Sequence, residues 1–181
     1  MTNLIGISGS LRQDSLNTML LEGMTELMPD GATLVVRSIA DVPLYNGDLD
    51  VDGGPSSVRA LKDAIKAADG LVIATPEYNY GIPGVLKNAI DWVSRPAFKS
   101  VLSGKPVAIV GASPGIVGTA RAQAELRNVL FGTLAEVFPY PEVLVGQGRQ
   151  RLADDQVTDE GTRKAIAEML ERYVVRVRRS A

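Results

Sequence analysis

Two apolar patterns alternate along the chain, and together they predict its secondary structure. Short runs of consecutive apolar residues are typical of strands buried on both faces of a sheet, whereas apolar residues spaced three and four positions apart are typical of helices. The predicted strands are residues 4–7, 33–38, 71–74, 106–111 and 142–145. The predicted helices contain the stripes within residues 16–27, 58–65, 85–93, 126–130 and 166–177.

Five strands therefore alternate with five helices in this prediction. Such alternation is typical of an α/β fold, in which a parallel sheet is covered by helices on both faces to give three layers. With right-handed crossovers, we expect a doubly wound five-stranded sheet in the order 2-1-3-4-5. No linker, internal repeat or low-complexity stretch interrupts the pattern, so residues 1–181 are predicted to form one domain.

The loop after the third predicted strand is rigid and aromatic for a short connection. Residues 75–84 contain Pro76, Tyr78, Tyr80 and Pro83. We expect Pro83 in the first turn of the next helix, where a missing N–H costs nothing. Ligands bind outside the carboxyl ends of strands in open α/β sheets. A binding site is therefore favoured here over an ordinary βα loop.

Composition and charge exclude several kinds of partner. The 181 residues are 45% hydrophobic and 22% charged, and the net charge is −2, so no nucleic-acid or anionic-lipid partner is expected. The basic run at residues 172–179 is interleaved with apolar residues and fits a C-terminal helix with a basic outer face. Neither a membrane span nor a signal peptide is predicted, which favours a cytoplasmic location.

The absence of two residue types limits the chemistry. The chain has no Cys and no His, which excludes thiolate nucleophiles, thiol redox centres, histidine triads and the common zinc sites. Asp48, Asp50 and Asp52 alternate as in part of a calcium loop. The Gly and Glu positions of that loop are missing, so no metal site is predicted. An enzyme of this composition would use other side chains or a bound cofactor.

Three loops are expected to meet at one edge of the sheet. In the order 2-1-3-4-5, the turns after strands one, three and four lie side by side, around the switch point between strands one and three. Residues 8–17, 76–81 and 112–118 should therefore converge, although they are distant from one another in the sequence.

The first of these loops has the composition of a phosphate site. Ser10, Arg12, Ser15 and Asn17 surround the start of a predicted helix, where unpaired N–H groups and the helix dipole favour an anion. The loop is neither a P-loop nor a dinucleotide-binding turn, because the Lys of one and the third Gly of the other are missing. The alternative is that Asp14 or Ser15 only caps the helix and Arg12 is solvated.

The other two loops suit a flat ligand. Pro76 and the neighbouring tyrosines are rigid and apolar, and the backbone amides of residues 77–79 could bind the edge of a heterocycle. Phosphate at the first loop and a ring at the others is the arrangement of a mononucleotide cofactor. Two alternatives remain open. Glu77 could be a general acid or base, and the third loop could be a bare turn with Gly115 at positive φ.

Two motifs resemble those of a known family. Residues 9–17 have the pattern G-S-L-R-x-x-S-x-N, and residues 75–92 read T-P-E-Y-N-Y-G-I-P-G-V-L-K-N-A-I-D-W. Both resemble the flavodoxin-like NADPH-dependent FMN reductase family, and in particular its bacterial chromate and quinone reductase branch. Residues 111–121 are similar to the family's third flavin loop, although Pro114 is not expected there.

The resemblance implies an FMN site that uses all three loops. The first loop would hold the phosphate, the second would flank the isoalloxazine ring, and the third would contact the other ring edge. The implied cofactor-binding residues are Ser10, Leu11, Arg12, Ser15, Asn17, Pro76, Glu77, Tyr78, Asn79 and Ser113. No catalytic side chain is implied, because hydride transfer through a flavin needs no side-chain base.

The resemblance also implies an activity, which is hydride transfer from NADPH or NADH, through bound FMN, to a quinone, flavin, azo dye or chromate-like oxyanion. Family members are generally homodimers and sometimes homotetramers. The main alternative is a flavodoxin-type electron carrier without NAD(P)H turnover, although such carriers favour a more strongly one-signed surface than a net charge of −2 provides. A phosphate-ligand sensor on the same fold is the third interpretation.

Overall fold

The computed structural model describes residues 1–180, and their main element is a parallel sheet. Its strands are β1 (Thr2–Ser8), β2 (Ala32–Arg37), β3 (Gly70–Ala74), β4 (Pro106–Ala112), β5 (Glu136–Val137) and β6 (Val143–Val145). The order is β2-β1-β3-β4-β5, and each of these pairings is parallel. The predicted order 2-1-3-4-5 is confirmed.

The fifth position of the sheet is shared by two short strands. β5 pairs with the first two residues of β4, and β6 pairs with its last three. We predicted only the second of these strands, as residues 142–145. Pro139 and Pro141 lie between β5 and β6. Because a proline donates no hydrogen bond to a strand ladder, the edge strand is interrupted there.

Residues 1–180 contain six α-helices. They are α1 (Leu16–Thr25), α2 (Ser56–Ala67), α3 (Gly84–Val93), α4 (Ala120–Phe131), α5 (Gly148–Arg151) and α6 (Glu160–Arg178). All except α5 were predicted. The prediction also lacked a hairpin of β7 (Leu152–Ala153) and β8 (Gln156–Val157), whose turn residues Asp154 and Asp155 both have positive φ. Asp-Asp is a weaker hairpin signal than Asn-Gly or Asp-Gly.

Two hydrophobic cores, one on each face of the sheet, hold the layers together. On one face, α1 and α6 pack their apolar stripes against strand residues such as Leu4 and Val72. On the other face, α2, α3 and α4 pack against Ile5 and Ile73. Neighbouring strand residues point to opposite faces, so the apolar central strands serve both cores. The three-layer α/β prediction is confirmed.

The C-terminal helix α6 is anchored by one buried tyrosine. The Tyr173 hydroxyl accepts a hydrogen bond from the Leu71 N–H (3.0 Å) and lies within donating distance of the Leu71 and Pro106 carbonyl oxygens (2.9 and 2.8 Å). Burial raises the pKa of this phenol, so it stays neutral and serves the fold at the amino ends of β3 and β4. No helix within residues 1–180 is long and apolar enough to cross a membrane.

Candidate functional site

The three predicted loops converge at the carboxyl edge of the sheet, where they border an open cleft. Eight of the ten predicted cofactor-binding residues line it: Ser10, Arg12, Ser15, Asn17, Pro76, Glu77, Tyr78 and Ser113. The other two, Leu11 and Asn79, are exposed and are not among the lining residues in the described part of the chain. The lining is completed by Asp14, Leu16, Ala112, Pro114 and Arg149.

Serine hydroxyls shape the first loop around the start of α1. Ser15 is the N-cap, and its Oγ accepts a hydrogen bond from the Thr18 N–H (3.2 Å). The Ser8 Oγ accepts from the Ser10 N–H (3.3 Å), and the Ser10 Oγ accepts from the Arg12 N–H (3.3 Å). Ser10 and Ser15, which only accept in these bonds, keep their hydroxyl protons for a ligand. The helix-cap alternative is therefore right about Ser15, and Arg12 is exposed as that alternative expects, but it does not account for the Ser10 hydroxyl in the cleft.

Asn17 joins the first loop to the third. Its Nδ2 donates to the Ala112 carbonyl oxygen and its Oδ1 accepts from the Ala112 N–H, both at 2.9 Å, and the residue is only 3% exposed. The side-chain amide thus has backbone partners at the end of β4, whereas we predicted that it would hold a phosphate. Its backbone N–H remains one of the first in α1, where an anion is favoured.

The middle loop closes in a tight two-residue turn. Tyr78 and Gly81 exchange two backbone hydrogen bonds of 3.0 Å, and Asn79 and Tyr80 between them have φ values of 50° and 71°. This is the arrangement of a type I′ turn, which non-glycine residues adopt at a cost in backbone strain. This turn occupies the Tyr78 N–H, which we predicted would bind the edge of a heterocycle. The Glu77 and Asn79 N–H groups have no hydrogen-bond acceptor within residues 1–180.

The N-terminal half of α4 holds this strained turn in place. The Glu77 carboxylate accepts hydrogen bonds from the backbone N–H groups of the second and third residues of α4 (3.0 and 3.2 Å) and from the Arg121 Nε (2.6 Å). The Arg121 guanidinium lies 3.9 Å from the centre of the Tyr80 ring. The Glu125 carboxylate accepts from the Ile82 N–H (2.7 Å). The second loop is therefore rigid before any ligand binds.

These contacts also decide the ionisation of Glu77. Burial by itself would raise the pKa of this carboxyl, but the Arg121 guanidinium and the two backbone N–H groups of α4 outweigh burial and lower the pKa below its ordinary value of 4.5. Glu77 is thus ionised at neutral pH, and its oxygens are occupied as the cap of α4. The geometry favours this capping role over the general acid or base alternative.

A pH titration of stability tests the capping role of Glu77. Because its pKa is lower in the folded state, its contribution is fully present above the ordinary pKa of 4.5 and is lost as the pH falls through the folded value. We expect Glu77→Gln to lower the free energy of unfolding at pH 7 and to flatten its decline below pH 4.5. Chemical denaturation across this range measures both. Glu171→Gln, on the exposed surface of α6, is the matched control, and a Glu77→Gln profile parallel to that of the wild type would contradict the role.

The third loop is braced by the segment that follows β6. The Ser113 N–H donates to the Val145 carbonyl oxygen (3.0 Å), and the Ser113 carbonyl oxygen accepts from the Gly148 N–H (2.8 Å). The positive φ expected at Gly115 is wrong, because Gly118 takes that conformation with a φ of 68°, and the bare-turn alternative itself stays untested. A Cβ on Gly118 would lie 3.0 Å from Leu144 Cβ, so close packing on β6 also requires a glycine there.

Arg149 is the functional-site candidate that sequence reasoning missed. It follows Gln147, which has a φ of 51°, and Gly148, and its side chain lines the cleft. No motif contains it. The available signal was the strand order, because the turn after the last strand also falls at the carboxyl edge of the sheet.

Comparisons with known proteins agree with this geometry. The family model described as NADPH-dependent FMN reductase matches residues 2–150. An NAD(P)H-dependent FMN reductase of Pseudomonas aeruginosa is 43% identical over 177 residues, which cover 97% of this chain and 95% of that one. A quinone reductase of Escherichia coli is 42% identical over 163 residues, which cover 88% and 86% of the two chains.

A solved structure extends the likeness to three dimensions. The flavoenzyme NAD(P)H:acceptor oxidoreductase of Paracoccus denitrificans superposes with a TM-score of 0.90 at 38% identity, and the match covers 99% of each chain. An FMN-dependent NADH-azoreductase of Bacillus anthracis, at 18% identity and a TM-score of 0.61, shares the fold. With the flavodoxin-like sheet order and the three loops in place, these matches show that the chain belongs to the NADPH-dependent FMN reductase family and is a flavin-dependent oxidoreductase.

Proposed function

We propose that the whole chain acts as one FMN-binding domain that uses NAD(P)H to reduce a quinone or a similar small acceptor. One observation carries the proposal. The N-terminus of α1, Arg12 and the serine hydroxyls line the same cleft as Pro76, Tyr78 and Ser113. A bound phosphate and a flat apolar ring would thus lie side by side, as in a flavin mononucleotide.

The first loop fits the phosphate of FMN. Ser10 and Ser15 supply hydroxyl donors, and Arg12 supplies a guanidinium that forms no ion pair within residues 1–180. The first N–H groups of α1 add further donors. Charge-assisted hydrogen bonds to a phosphate are roughly twice as strong as neutral ones. These groups would bind the phosphate end and fix its position.

The second and third loops fit the ring of FMN. Pro76 and Tyr78 both line the cleft, so each would offer an apolar surface to a flat heterocycle. The backbone N–H groups of Glu77 and Asn79 are donors for the polar atoms of the ring, and Ser113 would meet the other edge. Because α4 holds the second loop, the ring site is preorganised and binding orders few residues.

When bound, FMN supplies the hydride chemistry. The chain's own residues bind and orient the reactants. Glu77 is ionised and its oxygens are occupied by α4, so it holds the turn and carries no proton to a substrate. The Tyr78 ring, 46% exposed, would provide the surface over which NAD(P)H and then the acceptor enter. Both NADPH and NADH are proposed donors.

A quinone is the acceptor that the comparisons support best. Relatives named quinone reductase and 2-hydroxy-1,4-benzoquinone reductase are each 42% identical to this chain. The azoreductase of Bacillus anthracis shares the fold at 18% identity, and chromate reduction remains a prediction from the motif resemblance. We propose p-benzoquinone as the representative substrate.

An acceptor screen tests this proposal. FMN-loaded protein is mixed with NADPH and p-benzoquinone, an azo dye or chromate, and NADPH oxidation is followed by absorbance. We expect p-benzoquinone to support the fastest turnover, with protein stripped of flavin as the control. If the flavin-loaded protein fails to oxidise NADPH with any of these acceptors, it would instead be a flavodoxin-type carrier.

We also propose a homodimer, or a homotetramer built from it. Phe98 and Phe131 are 68% and 81% exposed, and Val85 and Leu134 are also exposed. These residues lie on or next to α3 and α4, and an exposed set of large apolar side chains is typical of an interface. Light scattering with size-exclusion chromatography measures the oligomeric state. A cytoplasmic location is proposed because NAD(P)H is a cytoplasmic reductant.

A further inference from the structure

Arg149 is the second arginine of the cleft, and neither family motif includes it. Arg12 and Arg149 both line the cleft and are both exposed. Neither forms an ion pair in the described part of the chain, whereas Arg121, beside the ring site, is paired with Glu77. Two unpaired guanidinium groups therefore share one site.

The backbone places Arg149 where the first and third loops of the cleft meet. Its neighbour Gly148 donates its N–H to the Ser113 carbonyl oxygen (2.8 Å). A Cβ on Gly148 would lie 3.0 Å from the Leu16 side chain, and Leu16 is the first residue of α1. Gly148 thus sits between the third loop and the N-terminus of α1. The backbone just before Arg149 therefore packs against the start of α1, where an anion is favoured.

Charge balance in the cleft indicates what Arg149 does. A phosphate monoester carries a charge of about −1.5 to −2 at neutral pH. Arg12 and Asp14, which both line the cleft, carry opposite charges although they form no ion pair with each other, and Glu77 is paired with Arg121, which lies outside the lining. Without Arg149, the lining would present no net positive charge to a phosphate. Arg149 supplies that charge.

We propose that Arg149 is a second guanidinium that binds the FMN phosphate, on the side of the cleft formed by α5 and the third loop. This inference rests on the proposed FMN site and adds to it a residue from outside both loop motifs. Arg149 would add charge-assisted hydrogen bonds to those of Arg12 and the serine hydroxyls. The same chemistry could serve a phosphate of NADPH, and the experiment separates the two sources.

The test compares FMN with riboflavin, which lacks the phosphate. Dissociation constants are measured by flavin fluorescence at one ionic strength for the wild type, Arg149→Ala, Arg149→Lys and Arg163→Ala. Arg163 is an exposed arginine of α6 away from the cleft and controls for the loss of a positive charge. We expect Arg149→Ala to weaken FMN binding about 10-fold or more, Arg149→Lys to weaken it less, and riboflavin binding to stay constant.

Three outcomes would be informative. A wild-type protein that binds FMN no better than riboflavin would overturn the proposed phosphate site as a whole. An unchanged ratio of FMN to riboflavin affinity in Arg149→Ala, with a normal wild-type preference, would overturn only the role of Arg149. If that unchanged ratio came with weaker NADPH binding and unchanged NADH binding, Arg149 would serve the nicotinamide cofactor, which also contradicts the inference.

Discussion

Replacing Ser10 and Arg12 together by alanine is expected to raise the Kd for FMN by about 100- to 10,000-fold. Hydrogen bonds to charged groups are worth about 1.5–3 kcal/mol each, and each 1.4 kcal/mol is about a factor of ten. The double variant would lack one guanidinium and one hydroxyl that we propose bind the phosphate. It would also remove the Ser10 Oγ that accepts the Arg12 N–H (3.3 Å) and shapes the loop. Fluorescence titration of the apoprotein with FMN measures the change.

Riboflavin and a matched variant make this test specific. Arg37 and Ser38 are an exposed arginine and serine at the end of β2 and are not among the lining residues of the cleft in residues 1–180. Their double alanine variant should bind FMN as the wild type does. Unchanged FMN affinity in the Ser10 and Arg12 variant would disprove the phosphate assignment, and an equal loss for riboflavin would show that the loop, not the phosphate contact, had been damaged.

Asn17→Ala is expected to lower the free energy of unfolding by about 2–6 kcal/mol, because two buried backbone groups would lose their partners at about 1–3 kcal/mol each. The N–H and the carbonyl oxygen of Ala112 both bond to the Asn17 amide at 2.9 Å. Asn17→Asp keeps the acceptor but loses the donor, so its free energy of unfolding should also be lower than that of the wild type. Urea denaturation measures each variant.

The flavin affinity of Asn17 variants distinguishes positioning from direct contact. Asn17 holds Ala112 beside Ser113, so its loss should weaken FMN and riboflavin binding by similar factors. Asn128→Ala, an exposed asparagine of α4, should change neither stability nor binding. If Asn17→Ala were as stable as the wild type, the two hydrogen bonds from the Asn17 amide to the Ala112 backbone would not stabilise the fold as we propose. A loss confined to FMN would mean that the Asn17 side chain contacts the phosphate directly.

The strand order was predictable because it depends on patterns that are local in the sequence. The buried strands β1, β3 and β4 are continuous apolar runs, and their alternation with helices leaves few topologies. The two-residue strand β5 was not predictable in this way, because so short a segment has no period. Its place depends on hydrogen bonds to β4, about 30 residues earlier in the chain.

The cleft was predicted through the strand order, but the partners of its side chains were not. The bond from Asn17 to Ala112 spans 95 residues, and the bond from Glu77 to Arg121 spans 44. From residue type alone, Asn17 was predicted to bind a phosphate, and Glu77 could have been a general acid or base. Only the packing of α1 against β4 and of α4 against the second loop gives these side chains their backbone partners.

The most direct test of the central claim is the visible spectrum of the purified protein with added FMN, recorded before and after anaerobic NADPH. We predict that flavin binds and that its absorbance bleaches promptly with NADPH, as a nicotinamide-driven reductase requires. Bound flavin that bleaches only with dithionite would contradict the reductase activity and favour the carrier. A protein that binds no FMN would contradict the assignment of all three loops.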